Sequence, residues 1–317
     1  MTLDELPLWF ERTLVIIFGL LWGSFLNVVI YRLPREMSVV RPPSCCGACG
    51  VPIKPYDNIP VFSWLLLRGR ARCCRARISA RYPLVEILGG GLSWAVFEVI
   101  VRGLPPSTPL GTAALVYLAY AALGWALVAA AFIDAEHMYL PDGITLGGTV
   151  LGLATATLRG MTWTASIVGA VVGFVVVWLP FVDLYKRIRG QAGMGLGDAK
   201  LTMLAGAWFG VWGALFVLLA GAVQGTLGAG IVYLVKGKIE EPESVRADRE
   251  ELQKAAAAGD HEAVELLADD PLGSAQEEGF GKARIPFGPF LILACVEFML
   301  AGDWIVQTYE ALFLPSY

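Results

Sequence analysis

The sequence predicts an all-α polytopic membrane protein of about eight transmembrane helices, with a small cytoplasmic cysteine-rich loop domain. Three observations carry that prediction. Of 317 residues, 56% are hydrophobic and only 16% charged, where ordinary soluble domains carry about a quarter charged. The apolar residues are clumped: Leu110 to Ile133 is 24 residues without an Asp, Glu, Lys or Arg, and Leu201 to Val235 is 35. The basic residues, in contrast, gather in a few polar stretches. This balance excludes a disordered chain, a disulfide-stapled secreted domain and an ordinary nucleic-acid binder.

Each segment can be justified in turn. A helix needs about 20 apolar residues to cross the hydrocarbon core. Apolar windows then place spans at 13–31, 84–101, 110–133, 143–158, 163–182, 199–211, 213–235 and 286–307. The run from Leu201 to Val235 is too long for one helix, so it divides near Gly210 and Gly213. Its first part is short, as tolerated where a broken helix lines a protein-walled cavity. The N-terminal run follows Asp4, Glu5 and Glu11 with no basic region before them, unlike a cleaved signal peptide.

Loop charge orients these spans. Residues 32–82 hold ten Lys/Arg and two acids, Leu184 to Lys200 adds four basic residues, and 236–285 adds seven. Eight spans put all three stretches on one face, leaving Arg12, Arg102 and Arg159 opposite. The bias of positive loops toward the cytoplasm assigns that face, with both termini outside. Residues 236–285 also carry 13 acids, a local balance of −6 in a chain of −4. Glu250 to Leu267 within this acidic insert, rich in Ala, Glu and Leu, reads as helical, with a helix pair as the alternative. The insert reads as a solvated spacer, with docking of a basic partner as the alternative.

Two acids share a side and a depth. Asp134 closes the third span and Asp198 opens the sixth, both at the cytoplasmic end. Close carboxyl groups in a poorly hydrated site do not both ionise, so one keeps a proton. Peptide hydrolysis needs such a pair: a carboxylate to activate water and a carboxylic acid to polarise the amide carbonyl. Gly193, Gly195 and Gly197 would let a substrate backbone approach Asp198. The bland alternative makes Asp198 an N-cap after a flexible loop, with Lys200 toward lipid headgroups. Asp142, before Gly143 and a helix, reads as an N-cap. Other hydrolase chemistries lack parts: the histidines are His137 and His261, and no Gly-x-Ser-x-Gly occurs. A proton-coupled transporter is the rival class, because membrane acids also relay ions. No internal repeat supports it.

Five of six cysteines fall in the basic loop: Cys45, Cys46, Cys49, Cys73 and Cys74. Cys46-Gly-Ala-Cys49-Gly50 has zinc-knuckle spacing, and thiolates from two such turns make a tetrahedral structural site, here Cys46, Cys49, Cys73 and Cys74. The second turn is irregular, because Ala71-Arg-Cys73-Cys74 is not a Cys-x-x-Cys. Reduced, packed cysteines are the alternative. Cys295 reads as core packing.

In order, Gly23-Ser-Phe-Leu-Asn27, Asp57-Asn-Ile-Pro60, Ile78-Ser-Ala-Arg81-Tyr-Pro83, Ile133-Asp134 with Leu140-Pro141-Asp142, Gly193-Met-Gly195-Leu-Gly197-Asp198 and Ile285-Pro-Phe-Gly-Pro289 resemble the type IV prepilin peptidase family. The resemblance spans nearly the whole chain. It implies an intramembrane aspartyl protease of the bacterial inner membrane, with Asp134 and Asp198 as catalytic pair and Gly195, Gly197 and Lys200 in the active-site loop. It further implies type IV prepilins or pseudopilins as substrates. Their short basic leader is cut on the cytoplasmic side, and the new N-terminus is methylated with S-adenosylmethionine. Gly69 falls at the glycine that the family links to methyl transfer. Ala71 stands where the family's fourth cysteine lies, with Cys73 or Cys45 as substitutes, so a peptidase without the transferase is the alternative. The expected organisation is a first transmembrane helix (1–31), a methyl-transfer-linked cysteine loop (32–83), a peptidase core (84–235), the insert (236–285) and a last helix with its tail (286–317). Membrane lipid is the expected surrounding partner.

Overall fold

The computed structural model describes residues 5–190, 193–237, 242–261, 263–264, 267 and 286–313. Its α-helices are α1 (Leu8–Arg32), α2 (Phe62–Leu66), α3 (Arg81–Val96), α4 (Leu110–His137), α5 (Asp142–Ala154), α6 (Trp163–Val177), α7 (Tyr185–Arg189), α8 (Leu196–Lys236), α9 (Glu243–Ala257) and α10 (Gly288–Phe313). Among the described residues there is no strand beyond two isolated bridges in the cysteine loop. Among the described residues six helices are long and apolar enough to cross a membrane: Leu8–Arg35, Arg81–Val101, Leu110–His137, Trp163–Arg189, Leu196–Val235 and Gly288–Thr308. The eight-span reading differs at two places. It counts α5, whose 13 residues reach only about 20 Å, and it divides α8.

That division has a backbone cause. Inside α8, Gly210 adopts φ 71° and ψ −169°, a conformation open to glycine and costly for other residues. A Cβ built on Gly173 would collide with the Thr202 backbone and lie 3.2 Å from Ala214 Cβ. Twelve residues of straight helix would separate Thr202 from Ala214 by about 18 Å. The chain therefore folds back at Gly210, making two arms, 196–209 and 211–236.

The chain divides into two packing units, residues 1–130 with 157–161, and 131–156 with 162–317. In the first, α1 and α3 run antiparallel, and Gly19 and Gly23 bring the backbones too close for any side chain against Gly89, Gly90 and Glu86. Small residues of this kind are how membrane helices pack without a hydrophobic drive. Ser93 Oγ donates to Val15 O at 2.5 Å, and Trp125 Nε1 to Gly89 O at 3.2 Å. Trp22 and Trp125 stack at 5.2 Å. Glu86 has a definite job: its Oε2 accepts the Val61 amide at 2.7 Å, tying the cysteine loop to α3. Val61 has φ 63°, a strained value for a β-branched residue.

The second unit is organised around α8. Gly148 and Gly152 lie against Leu204 and Trp208, so α5 runs parallel to the first arm; Gly169 lies against Gly206 and Gly173 against Thr202, so α6 runs antiparallel. Ser166 Oγ donates to Ala207 O at 2.6 Å, and Trp208 Nε1 to Gly148 O at 2.8 Å. These bonds satisfy buried polar groups where no water can. α10 lies antiparallel to the second arm, Leu291 against Gly221 and Phe287 against Gly225. Cys295 is fully buried, as core packing requires. The starts of α5, α8 and α10 thus gather at one end of this unit, together with the last turn of α4.

The insert helix α9 starts earlier than the sequence suggests, at Glu243 after Pro242, and ends at Ala257 before Gly259, which has φ 94°. Within the expected Glu250–Leu267 stretch, residues 258–260 break the helix and His261, Ala263, Val264 and Leu267 are helical again, while 262, 265 and 266, like 238–241 and 268–285, lie outside the described residues. Ser244 Oγ donates to the Glu136 carbonyl.

Candidate active site and cysteine cluster

Asp134 comes one turn before the end of α4, and Asp198 sits in the first turn of α8. The antiparallel and parallel pairings above bring these turns to the same end of the second unit. There the two carboxyl groups are near enough for the Asp134 charge to act on Asp198. Asp134 is only 6% exposed, and its Oδ2 is buried without a hydrogen-bond partner. A buried, unpaired carboxylate oxygen is costly. Structure retains such a group where something else, such as a reacting molecule, uses it. Asp198 is half-buried, and its Oδ2 accepts the Gly195 amide at 3.3 Å.

Asp198 therefore does cap its helix, but from the third position with Gly195 as N-cap. The capping bond uses one oxygen and leaves the carboxylate pointed at the loop. The glycines serve differently from the sequence expectation. A Cβ on Gly197 would lie 3.2 Å from Leu140 Cβ, and one on Gly193 would lie 3.1 Å from the Tyr185 ring. Their missing side chains make room for the protein's own packing. At Gly195 a Cβ would meet only the Asp198 carboxyl group, from 3.3 Å, and the Gly197 nitrogen at 3.9 Å, so of the three glycines it is the one that leaves room beside the carboxylate.

Asp142 and Lys200 also depart from expectation. Asp142 is the first residue of α5, with no side-chain cap bond. Its Oδ1 instead accepts from Lys200 Nζ at 2.6 Å. Lys200 thus ties the start of α8 to the start of α5. In the sequence the two are 58 residues apart, with no periodicity to pair them.

In the first unit, Cys46, Cys49, Cys73 and Cys74 hold their sulfurs within 4.8 Å of one another. Cys46 Sγ lies 3.7 Å from Cys74 Sγ, and Cys49 Sγ lies 3.3 Å from Cys73 Sγ. Four thiolates about 2.3 Å from one tetrahedral metal would stand at comparable separations. Two similar turns build the cluster. Cys46 O accepts from Gly50 N at 2.8 Å, and Ala71 O accepts from Arg75 N at 2.9 Å. Gly50 and Arg75 have φ of 71° and 61°. Ala71 thus occupies the place of Cys46 in the second turn, and Cys73 brings in the fourth sulfur from the next-but-one position. Cys45 stays outside the cluster.

The sulfurs share protons unequally. The backbone N–H groups of Ala48 and Cys49 push the Cys46 thiol down to about 6. Its hydrogen bond with Cys49 is the largest cause pushing Cys73 up to about 12. Gly69 has φ 65°, and a Cβ there would lie 3.1 Å from the Trp64 ring. Trp64 Nε1 donates to Ile78 O at 3.2 Å, so Gly69 helps seat the tryptophan that closes this loop.

The bacterial peptidase A24 N-terminal domain model matches residues 17–100, and the type IV leader peptidase family model matches 121–230. Similar proteins include the prepilin leader peptidase/N-methyltransferase of Aeromonas hydrophila, 35% identical over 96% of this chain and 96% of that protein. The protein of the same name from Myxococcus xanthus is 34% identical over 98% and 97%. That from Neisseria gonorrhoeae is 37% identical over 72% and 85%. No solved structure matches. With both segments matched and relatives aligned almost end to end, the chain belongs to the type IV leader peptidase family.

Proposed function

We propose that this integral inner-membrane protein cuts the basic leader from type IV prepilins or pseudopilins and then methylates the new N-terminus, with S-adenosylmethionine as donor. The names of its relatives support both activities. The observation that supports the peptidase chemistry is the buried, unpartnered Oδ2 of Asp134 within electrostatic reach of Asp198. In this reading one aspartate is ionised and takes a proton from water as its oxygen adds to the scissile carbonyl. The other is protonated and donates to the carbonyl oxygen. The C–N bond then breaks, and the released amine takes a proton from the pair. The Lys200–Asp142 pair keeps the two loop starts in register.

The site would face the cytoplasm, with both termini on the opposite side, a reading supported by the basic stretches at 32–82 and 184–200. The substrate's apolar helix would enter from lipid, with its basic leader on the positive-inside face. Cys46, Cys49, Cys73 and Cys74 are the residues that would hold zinc. Their sulfur separations fit a tetrahedral ion, which would supply a rigid cross-link to a loop with little core of its own. Gly69 is proposed to act for methyl transfer through the Trp64 packing it permits.

The test is the N-terminal mass of a prepilin incubated with the purified protein, with and without S-adenosylmethionine. Loss of the leader in both reactions, with the mass increment of a single methyl group only when the donor is present, supports the two-activity reading. An intact leader in both reactions contradicts it.

A further inference from the structure

The first residue of α10 touches the buried aspartate. A Cβ built on Gly288 would lie 2.5 Å from Asp134 Oδ2, 2.8 Å from Cγ and 3.3 Å from Cβ. Real Cβ atoms do not approach oxygen so closely, so any side chain at 288 must displace the carboxyl group. The Gly288 amide bears on the same carboxylate, while Oδ2 completes no hydrogen bond. Pro289 follows and has no amide to offer. α10 therefore presents one glycine, backbone only, to the deepest carboxyl group of the site.

The placement is fixed from behind. Phe287 O accepts from Phe290 N at 3.1 Å and from Leu291 N at 3.3 Å, which locks the first turn of α10. Leu291 and Phe287 pack on Gly221 and Gly225 of the second arm of α8. The helix start is therefore packed against α8 as well as against Asp134.

The geometry points to Gly288 as a positioning residue for the peptidase reaction. Its bare backbone holds the Asp134 carboxyl group at the angle from which it meets Asp198, and the positive end of α10 faces that carboxyl group. It touches no substrate and acts only through Asp134. This inference rests on the two-aspartate reading, and it assigns a task to the last helix that the aspartates alone do not reveal.

Steady-state cleavage of a prepilin by Gly288→Ala tests it, beside Asp134→Asn, Gly221→Ala and Gly230→Ala. A misplacement of about 1 Å at a catalytic group costs on the order of 100-fold. Gly288→Ala should therefore lose about 100-fold in kcat with KM changed less than about 3-fold, the pattern of an interaction used only in the transition state. Gly221→Ala, which would crowd Leu291, should lower thermal stability but leave kcat of the folded protein near wild type. Gly230→Ala, with open space around it, should leave kcat unchanged without lowering thermal stability. Wild-type kcat in Gly288→Ala beside an inactive Asp134→Asn overturns the inference and leaves the dyad standing. Activity in Asp134→Asn overturns the dyad itself.

Should Gly288→Ala fail to accumulate, the Asp134→Cys/Gly288→Cys pair reads the same contact without activity. Its Cβ atoms would stand close to the separation a disulfide needs. An oxidised 134–288 peptide pair, found by mass spectrometry of membranes, supports the contact. Its absence under oxidation, with the protein present, overturns it.

Discussion

Leu140 fills the space that a side chain at Gly197 would occupy, its Cβ 3.2 Å from where such a Cβ would lie. The contact joins the segment just after Asp134 to the turn that carries Asp198. Gly197 is thus a spacer between the two aspartate-bearing segments. Gly197→Ala should push them apart by a few tenths of an ångström and lower kcat about 3- to 30-fold. Gly197→Val should be inactive. Pairing Gly197→Ala with Leu140→Ala should restore part of the loss, because the crowding is then relieved. Cleavage kinetics of the three variants check this, and an unaltered kcat in Gly197→Ala would remove the spacer role.

Lys200 and Asp142 form an ion pair whose side chains are 20% and 60% exposed. Water reaches the acid, so the pair should contribute only about 0.2–1 kcal/mol to stability. Lys200→Met and Asp142→Asn should each lower the melting temperature slightly, and the double variant should be no worse than Lys200→Met. A double-mutant cycle on thermal melts measures that coupling. A strongly additive result would mean the two residues act apart.

Gly210 carries an essentially glycine-only backbone conformation that costs a residue with a Cβ about 1–3 kcal/mol. Gly210→Ala should lower the unfolding free energy by roughly that amount. Gly230, in regular helix with nothing near it, should gain stability when changed to Ala, by up to about 1 kcal/mol. Melting temperatures of the two variants should move in opposite directions.

The cysteine cluster makes a prediction in metal content and pH. Cys73→Ser should lose bound zinc, whereas Cys45→Ser should retain it, as read by metal analysis of the purified protein. Zinc must displace the protons held by the thiols, and the hydrogen bond with Cys49 pushes the Cys73 thiol up to about 12. Metal affinity should therefore rise with pH and fall in acid. Chelators should strip the ion more readily at pH 6 than at pH 8. Equal metal content in Cys73→Ser and wild type would show that Cys73 is not a ligand.

Much of this was legible in the sequence where the signal is periodic or compositional. Charge-free runs located the long helices, and the glycines near 210 located the fold-back in α8. Asp134 and Asp198 stood out because they share a side and a depth, each at the cytoplasmic end of its expected span. What escaped was set by tertiary contact. Lys200 pairs with Asp142 across 58 residues, and nothing in either neighbourhood announces the other. Gly193 and Gly197 read as openings for substrate, but Tyr185 and Leu140 fill them. Cys73 could be told from Cys45 only once both turns were seen to fold alike, with Ala71 in the position of Cys46. Gly288 was one letter in a Pro-Phe-Gly-Pro string, and its role depends on an aspartate 154 residues earlier.

The central claim is that Asp134 and Asp198 act as one unit in peptide cleavage. Single-turnover cleavage of a prepilin by Asp134→Asn, Asp198→Asn and the double variant tests it most directly. Residues that work as a unit lose their effect together. Each single variant should fall by about 1,000-fold or more, and the double variant should be no slower than either single one. Cleavage at near wild-type rate in either single variant, or losses that multiply in the double variant, would contradict the claim.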